Sequence, residues 1–454
     1  MKDSLDSWLE YIASVHPQEI ELGLDRIRRV ATRMQIHRPA PLVVTVAGTN
    51  GKGSCVACME SILIHAGYKV AAYTSPHLHR FNERVRLQGQ AVNDEALCDA
   101  LRLVEEHRGP DSLSYFEFST LAALWIFQQS DSDVALLEVG LGGRLDAVNI
   151  VDADVALISS IALDHESWLG SDLESIGREK AGILRPEIPA VFGASTPPLS
   201  ITKLAAELGA PLSVLGQEFD FSRDDSLGVW AWHGSLSLKQ IGQDTTRQDL
   251  EGIALPLPAI ALSNAASSLQ ALSLLPLDLS LEVIRAGLEQ LRLAGRFEQR
   301  RHRATGTAVI FDVAHNTAAA ELLATNLLRL QREKPWIERI TLVLAVMADK
   351  HIESMALALK SCVDNWYIAQ VDEPRCMPAD EAEKRVATAI ELGDGREIAG
   401  CIPGTTSGTA RIQCFESVHA AFDAACQRAS TGELIVVSGS FFTVAAVREL
   451  SDPL

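Results

Sequence analysis

A glycine-rich turn with a single lysine is the feature of this sequence that points most directly to chemistry. The apolar run at residues 42–47 leads into Gly48–Ser54, GTNGKGS, and a helix is expected to follow. Glycine permits the backbone dihedrals that let the N–H groups of such a turn converge on phosphate oxygens. Lys52 adds a charge, the helix directs its positive end to the same place, and the Ser54 hydroxyl can ligate Mg²⁺. The turn therefore predicts a nucleotide triphosphate site and ATP-driven chemistry.

The turn departs from the strict phosphate-loop pattern in two ways. That pattern has four residues between its glycines and a Ser or Thr directly after the lysine. Here only two residues separate Gly48 from Gly51, and Gly53 stands between Lys52 and Ser54. A plain glycine-rich turn therefore remains the alternative, although the strand–turn–helix context favours phosphate binding.

The composition limits the class of protein. A chain of 454 residues is expected to form two or three domains. Its 47% hydrophobic and 22% charged residues are typical of a soluble globular protein, and we expect neither a leader peptide nor a membrane span. The net charge of -19 argues against nucleic acid or an anionic membrane as the main partner.

The eight cysteines are scattered and form no disulfide or zinc pattern, which indicates a reducing, cytoplasmic location. Cys55 and Cys58 have the spacing of a redox pair. Both fall in the helix after the turn, where we instead expect buried structural thiols.

The first half of the chain alternates apolar strands with helical patterns and predicts a doubly wound parallel sheet. The candidate strands span residues 42–47, 69–73, 134–139, 155–160 and 188–192. The first leads into the glycine-rich turn, the second into Ser75 and the fourth into His165, while the third ends at Glu138 and the glycines after it. Because the carboxyl ends of parallel strands share one edge, where ligands bind, these groups are predicted to meet.

Each of these side chains also has a structural interpretation. Glu138 ends an aliphatic strand and suits a Mg²⁺ ligand, but it could be a solvated strand end. His165 could coordinate metal, position the group that is phosphorylated, or be a structural histidine. Ser75 could be a plain loop serine or a second Mg²⁺ ligand, since its strand is expected one position away from the glycine-rich turn.

The second half indicates a smaller α/β domain. Residues 213–248 suggest a β-rich excursion, residues 281–293 a helix, and residues 295–297 (GRF) a linker. Strands are expected at 308–311, 341–346, 365–369 and 434–437. We therefore predict an N-terminal domain at residues 1–294 and a C-terminal domain at residues 295–454.

Further candidates lie outside the first sheet. Lys180 is in a short charged helical stretch and could simply be solvated, while Asn264 is at a predicted helix start and could be an N-cap. Arg296 could be a surface charge or reach a phosphate. Asp312 and His315 end a strand of the second domain, and domain interfaces are preferred places for ligand clefts.

Taken together, these segments resemble the dihydrofolate synthase/folylpolyglutamate synthase family, ATP-dependent ligases related to the Mur ligases of cell-wall synthesis. The bacterial bifunctional type is the nearest likeness. The similarity covers nearly the whole chain and is carried by residues 16–24 (HPQEIELGL), 46–54 (VAGTNGKGS), 73–78 (YTSPHL), 114–118 (SYFEF), 137–149 (LEVGLGGRLDAVN), 160–165 (SIALDH), 175–182 (SIGREKAG), 295–297 (GRF) and 311–316 (FDVAHN).

The resemblance implies a fold and roles. It implies a Mur-ligase-like central domain that binds ATP and pterin, followed by a Rossmann-like glutamate-ligase domain. Lys52, His165 and Lys180 would be catalytic, with Lys180 carried as a carbamate, and two Mg²⁺ ions would bind to Ser75, Glu138 and His165. The residues implied for ATP are Thr49, Asn50, Gly51, Lys52, Gly53, Ser54, Asn264, Arg296, Asp312 and His315.

It also implies a pterin pocket, in which Phe116 would stack on the ring and Asp146 would bond its amino-pyrimidine edge. The implied pocket residues are Ile20, Glu21, Leu22, Ser114, Tyr115, Phe116, Glu117, Leu145, Asp146 and Ala147. Ser114 is often threonine in relatives, and Ser263 stands where proline is common; neither departure removes a group that the mechanism needs.

The implied activity joins L-glutamate to dihydropteroate and to reduced folates through an acyl phosphate, in a monomer. Two alternatives stay open. One is a Mur-type ligase of a cell-wall precursor, and the other is a nucleotide-binding regulatory protein without ligase turnover.

Overall fold

The computed structural model describes residues 4–16, 21–238, 246–249, 253–392 and 411–453. The chain divides into two compact units, Met1–Arg292 and Leu293–Leu454. The predicted linker at residues 295–297 lies just inside the second unit, where Gly295 is buried and its carbonyl accepts a bond from the Val313 N–H. Among the described residues, no helix combines the length and hydropathy that a membrane span requires.

The first unit is built around one large sheet. Its helices are α1 (Leu5–Val15), α2 (Asp25–Arg33), α3 (Lys52–His65), α4 (Asp94–Arg108), α5 (Tyr115–Gln129), α6 (Glu166–Leu169), α7 (Leu173–Ala181), α8 (Leu199–Leu208), α9 (Leu262–Ser273) and α10 (Leu281–Gln290), with 3-10 turns at Phe81–Arg84 and Ala147–Ile150. Its strands are β1 (Leu42–Ala47), β2 (Val70–Tyr73), β3 (Val85–Leu87), β4 (Gln90–Ala91), β5 (Val134–Glu138), β6 (Val155–Ile158), β7 (Ala190–Phe192), β8 (Leu212–Val214), β9 (Asp220–Asp224), β10 (Val229–His233), β11 (Ser235–Leu238), β12 (Thr246–Asp249) and β13 (Leu255–Pro256).

The large sheet has the strand order β4-β3-β2-β5-β1-β6-β7-β8. The six strands from β2 to β8 in this order run parallel, and β3 and β4 add an antiparallel edge. Every residue of β5 is buried, because helices cover both faces of the sheet. The doubly wound arrangement predicted from the sequence is confirmed.

The β-rich excursion is confirmed in the residues that the structure describes. Strands β9, β10 and β13 form a small antiparallel sheet, and β11 pairs with β12. The rings of Trp230 and Trp232 are fully buried there. Residues 239–245 of this predicted segment lie outside the described residues.

The second unit is also an α/β unit. Its helices are α11 (Thr317–Glu333), α12 (Ile352–Leu359), α13 (Ala379–Leu392), α14 (Val418–Arg428) and α15 (Phe441–Arg448), and its strands are β14 (Glu298–His302), β15 (Ala308–Asp312), β16 (Arg339–Leu344), β17 (Asn365–Ile368), β18 (Arg411–Cys414), β19 (Glu433–Ser438) and β20 (Ser451–Pro453). The strand order is β18-β17-β16-β19-β15-β14-β20, with the first five parallel. The predicted smaller α/β domain is therefore confirmed.

The cysteines Cys55 and Cys58 lie in α3 and are fully buried. Burial raises the pKa of the Cys58 thiol to about 12 and that of Cys55 further still. Thiols of this kind are protonated and unreactive at neutral pH, so the structural interpretation is confirmed. Cys401 lies outside the described residues.

Candidate active site

The carboxyl ends of four adjacent strands bring the predicted polar groups to one edge of the first sheet. Strands β2, β5, β1 and β6 are neighbours in that order, and they lead to Ser75, Glu138, the glycine-rich turn and His165, respectively. One detail of the prediction was wrong. Ser75 is not one strand away from the glycine-rich turn, because β5 lies between β2 and β1. Glu138 therefore occupies the strand next to the turn.

The glycine-rich turn is held by its own neighbours. Gly51 precedes α3 in the left-handed region, with φ of +88°, and a Cβ there would lie 2.4 Å from Asn264 Oδ1. The Thr49 N–H donates to the Ser160 carbonyl at 2.8 Å, and the Asn50 N–H donates to Ser160 Oγ at 3.1 Å. These two donors are thus used by the protein itself. The phosphate-directed donors of this turn are then the first N–H groups of α3, which begins at Lys52.

Lys52 is half-buried and folds back over the turn. Its ammonium donates to the carbonyls of Gly48 at 3.0 Å and Thr49 at 3.2 Å. The cation therefore lies at the turn, as a phosphate-binding lysine must, although in this structure its donors are directed to the backbone.

Glu138 and Ser75 are in direct contact. The Glu138 side chain is buried, and its Oε2 accepts a bond of 3.1 Å from the Ser75 N–H. A Cβ at Gly53, in the first turn of α3, would lie 3.5 Å from the same oxygen. A carboxylate is therefore enclosed between the Ser75 loop and the start of α3, and this contradicts the alternative of a solvated strand end.

His165 has a different setting. It is exposed, precedes α6, and has φ of +51° and ψ of +39°, a left-handed conformation that is uncommon outside glycine. Its N–H donates to the side chain of the buried Asp164 at 2.9 Å. Among the described residues, no group of three or more His, Cys, Asp or Glu side chains could by itself hold a metal ion.

Lys180 is buried, with only 4% of its surface exposed, which overturns the alternative of a solvated helix face. Burial and the neighbouring charge of Lys52 lower the pKa of the Lys180 ammonium to about 7, against the opposing influence of Asp164 and Asp146. The structure thus brings two lysines and two aspartates into one electrostatic cluster. Burial and the charge of Lys52 thus favour the neutral amine of Lys180 over its ammonium.

Asn264 is the third residue of α9, whose N-cap is Ala261, so the N-cap interpretation of Asn264 was wrong. Its carbonyl accepts a bond of 2.7 Å from Ser268 Oγ, and its side chain contacts Gly51. Asn264 therefore closes one side of the glycine-rich turn.

Several residues of the predicted pterin pocket have architectural roles. Ser114 is the N-cap of α5, and Glu117 completes a capping box by accepting the Ser114 N–H at 2.8 Å. The Glu117 carboxylate also accepts Arg26 Nε at 2.8 and 2.9 Å. Arg26 in turn pairs with Glu21, which contacts His16 Nε2 at 2.7 Å. The side chains that link α2 to α5 are therefore satisfied within the protein.

Phe116 and Asp146 lie along the loop that follows β5. A Cβ at Gly140 would lie 2.6 Å from Phe116 Cζ, so the glycine admits the ring. Asp146 is buried; its Oδ2 accepts the N–H groups of Gly140 and Leu141 at 3.0 and 2.9 Å, and its Oδ1 accepts that of Val148 at 3.0 Å. Burial raises the pKa of Asp146 to about 6 despite these bonds.

The remaining pocket residues surround this loop. The Leu145 carbonyl accepts the Gly23 N–H at 3.3 Å. The Tyr115 ring meets that of Phe81 edge-on, and Ala147 is buried at the start of a 3-10 turn. Leu22 is half-buried, and Ile20 lies outside the described residues.

Three predicted nucleotide-binding residues belong to the second unit. Asp312 ends β15 and accepts the N–H groups of Phe297 at 2.8 Å and Ala314 at 2.9 Å. Burial raises its pKa. The Arg296 guanidinium lies 5.2 Å from the centre of the Phe441 ring, and His315 Nδ1 lies 2.8 Å from the Val313 carbonyl. These side chains share the carboxyl edge of the second sheet.

The sequence prediction missed Ser159, Ser160 and Asp164 as parts of the site. Ser159 and Ser160 both donate to the Asn50 carbonyl, at 2.6 and 3.0 Å, and thereby fasten the glycine-rich turn to the end of β6. Their position is the signal that could have identified them, because both serines end the predicted strand at residues 155–160, at the edge where ligands bind.

Known proteins resemble this chain over its whole length. Residues 295–441 match the model of the Mur ligase glutamate ligase domain. The dihydrofolate synthase/folylpolyglutamate synthase of Escherichia coli K12 is 44% identical over 99% of this chain and 96% of its own. E. coli FolC in complex with DHPP and ADP superposes with a TM-score of 0.85, at 42% identity over 99% and 97% of the two chains. A bifunctional folylpolyglutamate synthase/dihydrofolate synthase with Mn, AMPPNP and L-glutamate bound superposes with a TM-score of 0.82, at 41% identity over 98% of each chain. This chain belongs to the dihydrofolate synthase/folylpolyglutamate synthase family.

Proposed function

We propose that this protein is an ATP-dependent ligase that adds L-glutamate to dihydropteroate and to tetrahydrofolate glutamates. Family membership supports this reaction, as do the ADP, DHPP and L-glutamate bound in the two similar structures. The observation that carries the proposal is the enclosure of Glu138 between Ser75 and the first turn of α3, at the same sheet edge as Lys52. That arrangement suits a metal-assisted transfer of a phosphoryl group.

The proposed reaction has two steps. A carboxylate oxygen of the pteroyl substrate attacks the γ-phosphorus of ATP, the bond to ADP breaks, and an acyl phosphate forms. The amine of L-glutamate then attacks the acyl carbon, the amine loses a proton, and phosphate leaves with the electrons of the C–O bond. Neither step requires a covalent bond to the enzyme.

The chain's own residues serve positioning and charge. Lys52 and the first N–H groups of α3 bind the phosphates, where negative charge develops during transfer. Asn264 and the serines after β6 hold the turn in its binding conformation. Phe116 and Asp146 orient the pterin, and Arg296, Asp312 and His315 bind nucleotide.

The residues that would hold Mg²⁺ are Glu138, Ser75 and His165. Mg²⁺ prefers oxygen ligands, uses few from the protein and completes its shell with phosphate oxygens and water, so the Glu138 carboxylate and the Ser75 hydroxyl fit this ion. The His165 imidazole is the third ligand that the family resemblance implies. When bound, Mg²⁺ offsets the negative charge of the phosphates. We propose two such ions; the Mn and AMPPNP of the similar structure support a divalent cation with the nucleotide.

We propose that Lys180 carries a carbamate. A neutral amine attacks carbon dioxide, a C–N bond forms, and the nitrogen loses one proton, which leaves an anionic group. The buried position of Lys180 and its pKa of about 7 supply that neutral amine. The resulting anion next to Lys52 removes the repulsion between the two lysines and gives the site a group that attracts metal.

The decisive assay supplies the purified chain with ATP, Mg²⁺ and radiolabelled glutamate, together with either dihydropteroate or tetrahydrofolate. We expect labelled dihydrofolate in the first case and labelled polyglutamate in the second, each with equal release of phosphate. A panel of cell-wall precursors is the control for Mur-type specificity. Nucleotide binding without glutamate-dependent phosphate release would refute the ligase assignment.

We further propose that the enzyme works in the cytoplasm as a monomer. Measurement of its molar mass in solution by light scattering would test the monomeric state.

A further inference from the structure

We propose that Arg86 is a positioning residue that sets the metal affinity of the site by tying the Ser75 loop, residues 74–80, to helix α3. The inference rests on the proposed function in one respect, the assignment of Ser75 and Glu138 to the metal. The proposed role requires no contact of Arg86 with ATP or metal. Arg86 acts through the backbone that carries Ser75.

The anchor of this arrangement is the ion pair between Arg86 on β3 and Glu60 on α3. Arg86 Nη2 donates to Glu60 Oε2 at 2.7 Å, and Arg86 Nε lies 3.1 and 3.2 Å from the two carboxylate oxygens. The side chains are only 19% and 8% exposed. A fork-to-fork pair of this kind fixes the direction of the guanidinium.

The other end of the same guanidinium holds the loop. Arg86 Nη1 donates to Thr74 Oγ1 at 2.9 Å and to the Glu83 carbonyl at 3.0 Å. Thr74 immediately precedes Ser75, and its N–H is also bonded to the Arg84 carbonyl at 2.9 Å. The far end of the loop is fastened separately, since the Glu83 carboxylate accepts the N–H groups of residues 78, 79 and 80.

These contacts form one of two connections between the Ser75 loop and α3. Ser75 donates its N–H to Glu138, and Glu138 lies against Gly53 in the first turn of α3. Arg86 links Thr74 to Glu60, which lies further along the same helix. The helix that begins at the glycine-rich turn is therefore joined to the Ser75 loop at two points. These contacts therefore restrain the distance between the phosphate site and two of the three predicted metal ligands, Ser75 and Glu138.

The guanidinium is required because it reaches both partners at once. Lysine keeps the positive charge and can pair with Glu60, but its compact ammonium cannot also reproduce the planar fork toward Thr74 and Glu83. Arg86→Lys thus separates the loss of positioning from the loss of charge.

The test measures Mn²⁺ binding to the full-length protein in the presence of AMPPNP, by electron paramagnetic resonance. Arg86→Lys and Thr74→Val are the test variants. The second removes the Thr74 hydroxyl, which accepts from Arg86 and also donates to the Glu83 carbonyl at 3.5 Å. Arg108→Lys is the matched control, because Arg108 is 20% exposed, pairs with Glu105 at 2.8 Å, and also donates to a backbone carbonyl. We expect both test variants to raise the Kd for Mn²⁺ about tenfold, as outer partners of metal ligands do, and the control to stay within about twofold.

Wild-type Mn²⁺ affinity in either test variant would overturn the proposal, as would an equal loss in Arg108→Lys. If Arg86→Lys fails to fold, as judged by its thermal unfolding midpoint, Thr74→Val decides alone. Absence of Mn²⁺ binding by the wild-type protein with AMPPNP would overturn the inference together with the metal site. A wild-type protein that binds Mn²⁺ with AMPPNP but makes no glutamyl product would refute the ligase assignment and leave the role of Arg86 intact.

Discussion

At the scale of single residues, Lys180 shows how burial changes the meaning of a side chain. In the sequence it is one of several charges in a short helix, and its type alone suggests solvent exposure. The fold buries it beside Lys52, with Asp146 and Asp164 close enough to act on its charge. A lysine in such a place must either be neutral or acquire a compensating anion. The burial of Lys180 therefore supports the carbamate independently of any family pattern.

The first prediction concerns turnover. Lys180→Ala should lower kcat by about 100-fold, since it removes the group that would direct the metal. Supplying a short carboxylic acid, such as formate or acetate, should restore part of the activity to this variant by occupying the vacated space with an anion. Steady-state kinetics with and without the acid provide the measurement. Unchanged kcat in Lys180→Ala would contradict a role for this side chain in the reaction.

The second prediction concerns pH and stability in buffer free of carbon dioxide. The pKa of Lys180 is lower in the folded state than in the unfolded state, so between about pH 7 and pH 10 the unfolded chain binds more protons. The free energy of unfolding should therefore rise with pH across this window, by about 3 kcal/mol from this group. Urea titrations of the wild type and Lys180→Met at pH 6.5 and pH 9.5 measure the difference. A rise of equal size in Lys180→Met would assign it to other groups.

Other predicted residues show why type alone does not reveal a role. The family resemblance assigns Ser114, Glu117 and Asp146 to the pterin. In this structure Ser114 caps a helix, Glu117 forms an ion pair, and Asp146 accepts backbone N–H groups of its loop. Such roles do not exclude a ligand, because a carboxylate oxygen has more than one lone pair. Their assignment to the pterin stays a prediction.

At the scale of elements, the apolar parallel strands were predictable and the edge strands were not. The buried β1, β5 and β6 read as continuous aliphatic runs, and the predicted ends differ from the observed ends by at most two residues. The antiparallel strands β3 (VRL), β4 (QA) and β14 (EQRRH) lie at or next to a sheet edge, are short or polar, and are absent from the predicted strands. Their pairing comes from neighbouring strands, which a local pattern does not contain. Sheet order was likewise invisible, which explains the misplaced Ser75 strand.

The third prediction tests the glycine-rich turn as an element. Gly51→Ala and Gly67→Ala both place alanine in the left-handed region, at φ of +88° and +84°. Each should cost about 1 kcal/mol of stability. Only at Gly51 would the new Cβ meet Asn264; at Gly67 nothing lies within 4 Å. Gly51→Ala should therefore raise the KM for ATP about tenfold or more, while Gly67→Ala should leave it unchanged.

Thermal unfolding measures the common stability cost of the two glycine variants, and initial rates at varied ATP measure the specific one. Equal KM values for ATP in both variants would show that the contact between the turn and Asn264 does not shape the nucleotide site.

At the scale of the whole molecule, both units place their predicted ligand-binding residues in the same way. Each has a parallel sheet, and in each the residues predicted to bind ligand follow strands at their carboxyl ends. This placement could be predicted from the sequence of each unit, because alternating strands and helices indicate parallel strands, whose carboxyl ends share one edge. The functional assignment of the two units, ATP and pterin to the first and glutamate ligation to the second, remains a prediction that only variants in both units can test.

The fourth prediction compares two aspartates of the second sheet, one at the carboxyl end of a parallel strand and the other at the amino end of another. Asp312 ends β15, whereas Asp364 precedes β17, and both accept backbone N–H groups and have a pKa raised by burial. Asp312→Asn and Asp364→Asn should therefore lose similar stability. If nucleotide binds at the carboxyl edge, only Asp312→Asn should lower kcat/KM for ATP, by about tenfold or more, because one charged hydrogen-bond acceptor is lost. Chemical denaturation and initial rates give the two quantities separately. Equal rates in both variants would confine nucleotide recognition to the first unit and require a different role for the FDVAHN segment.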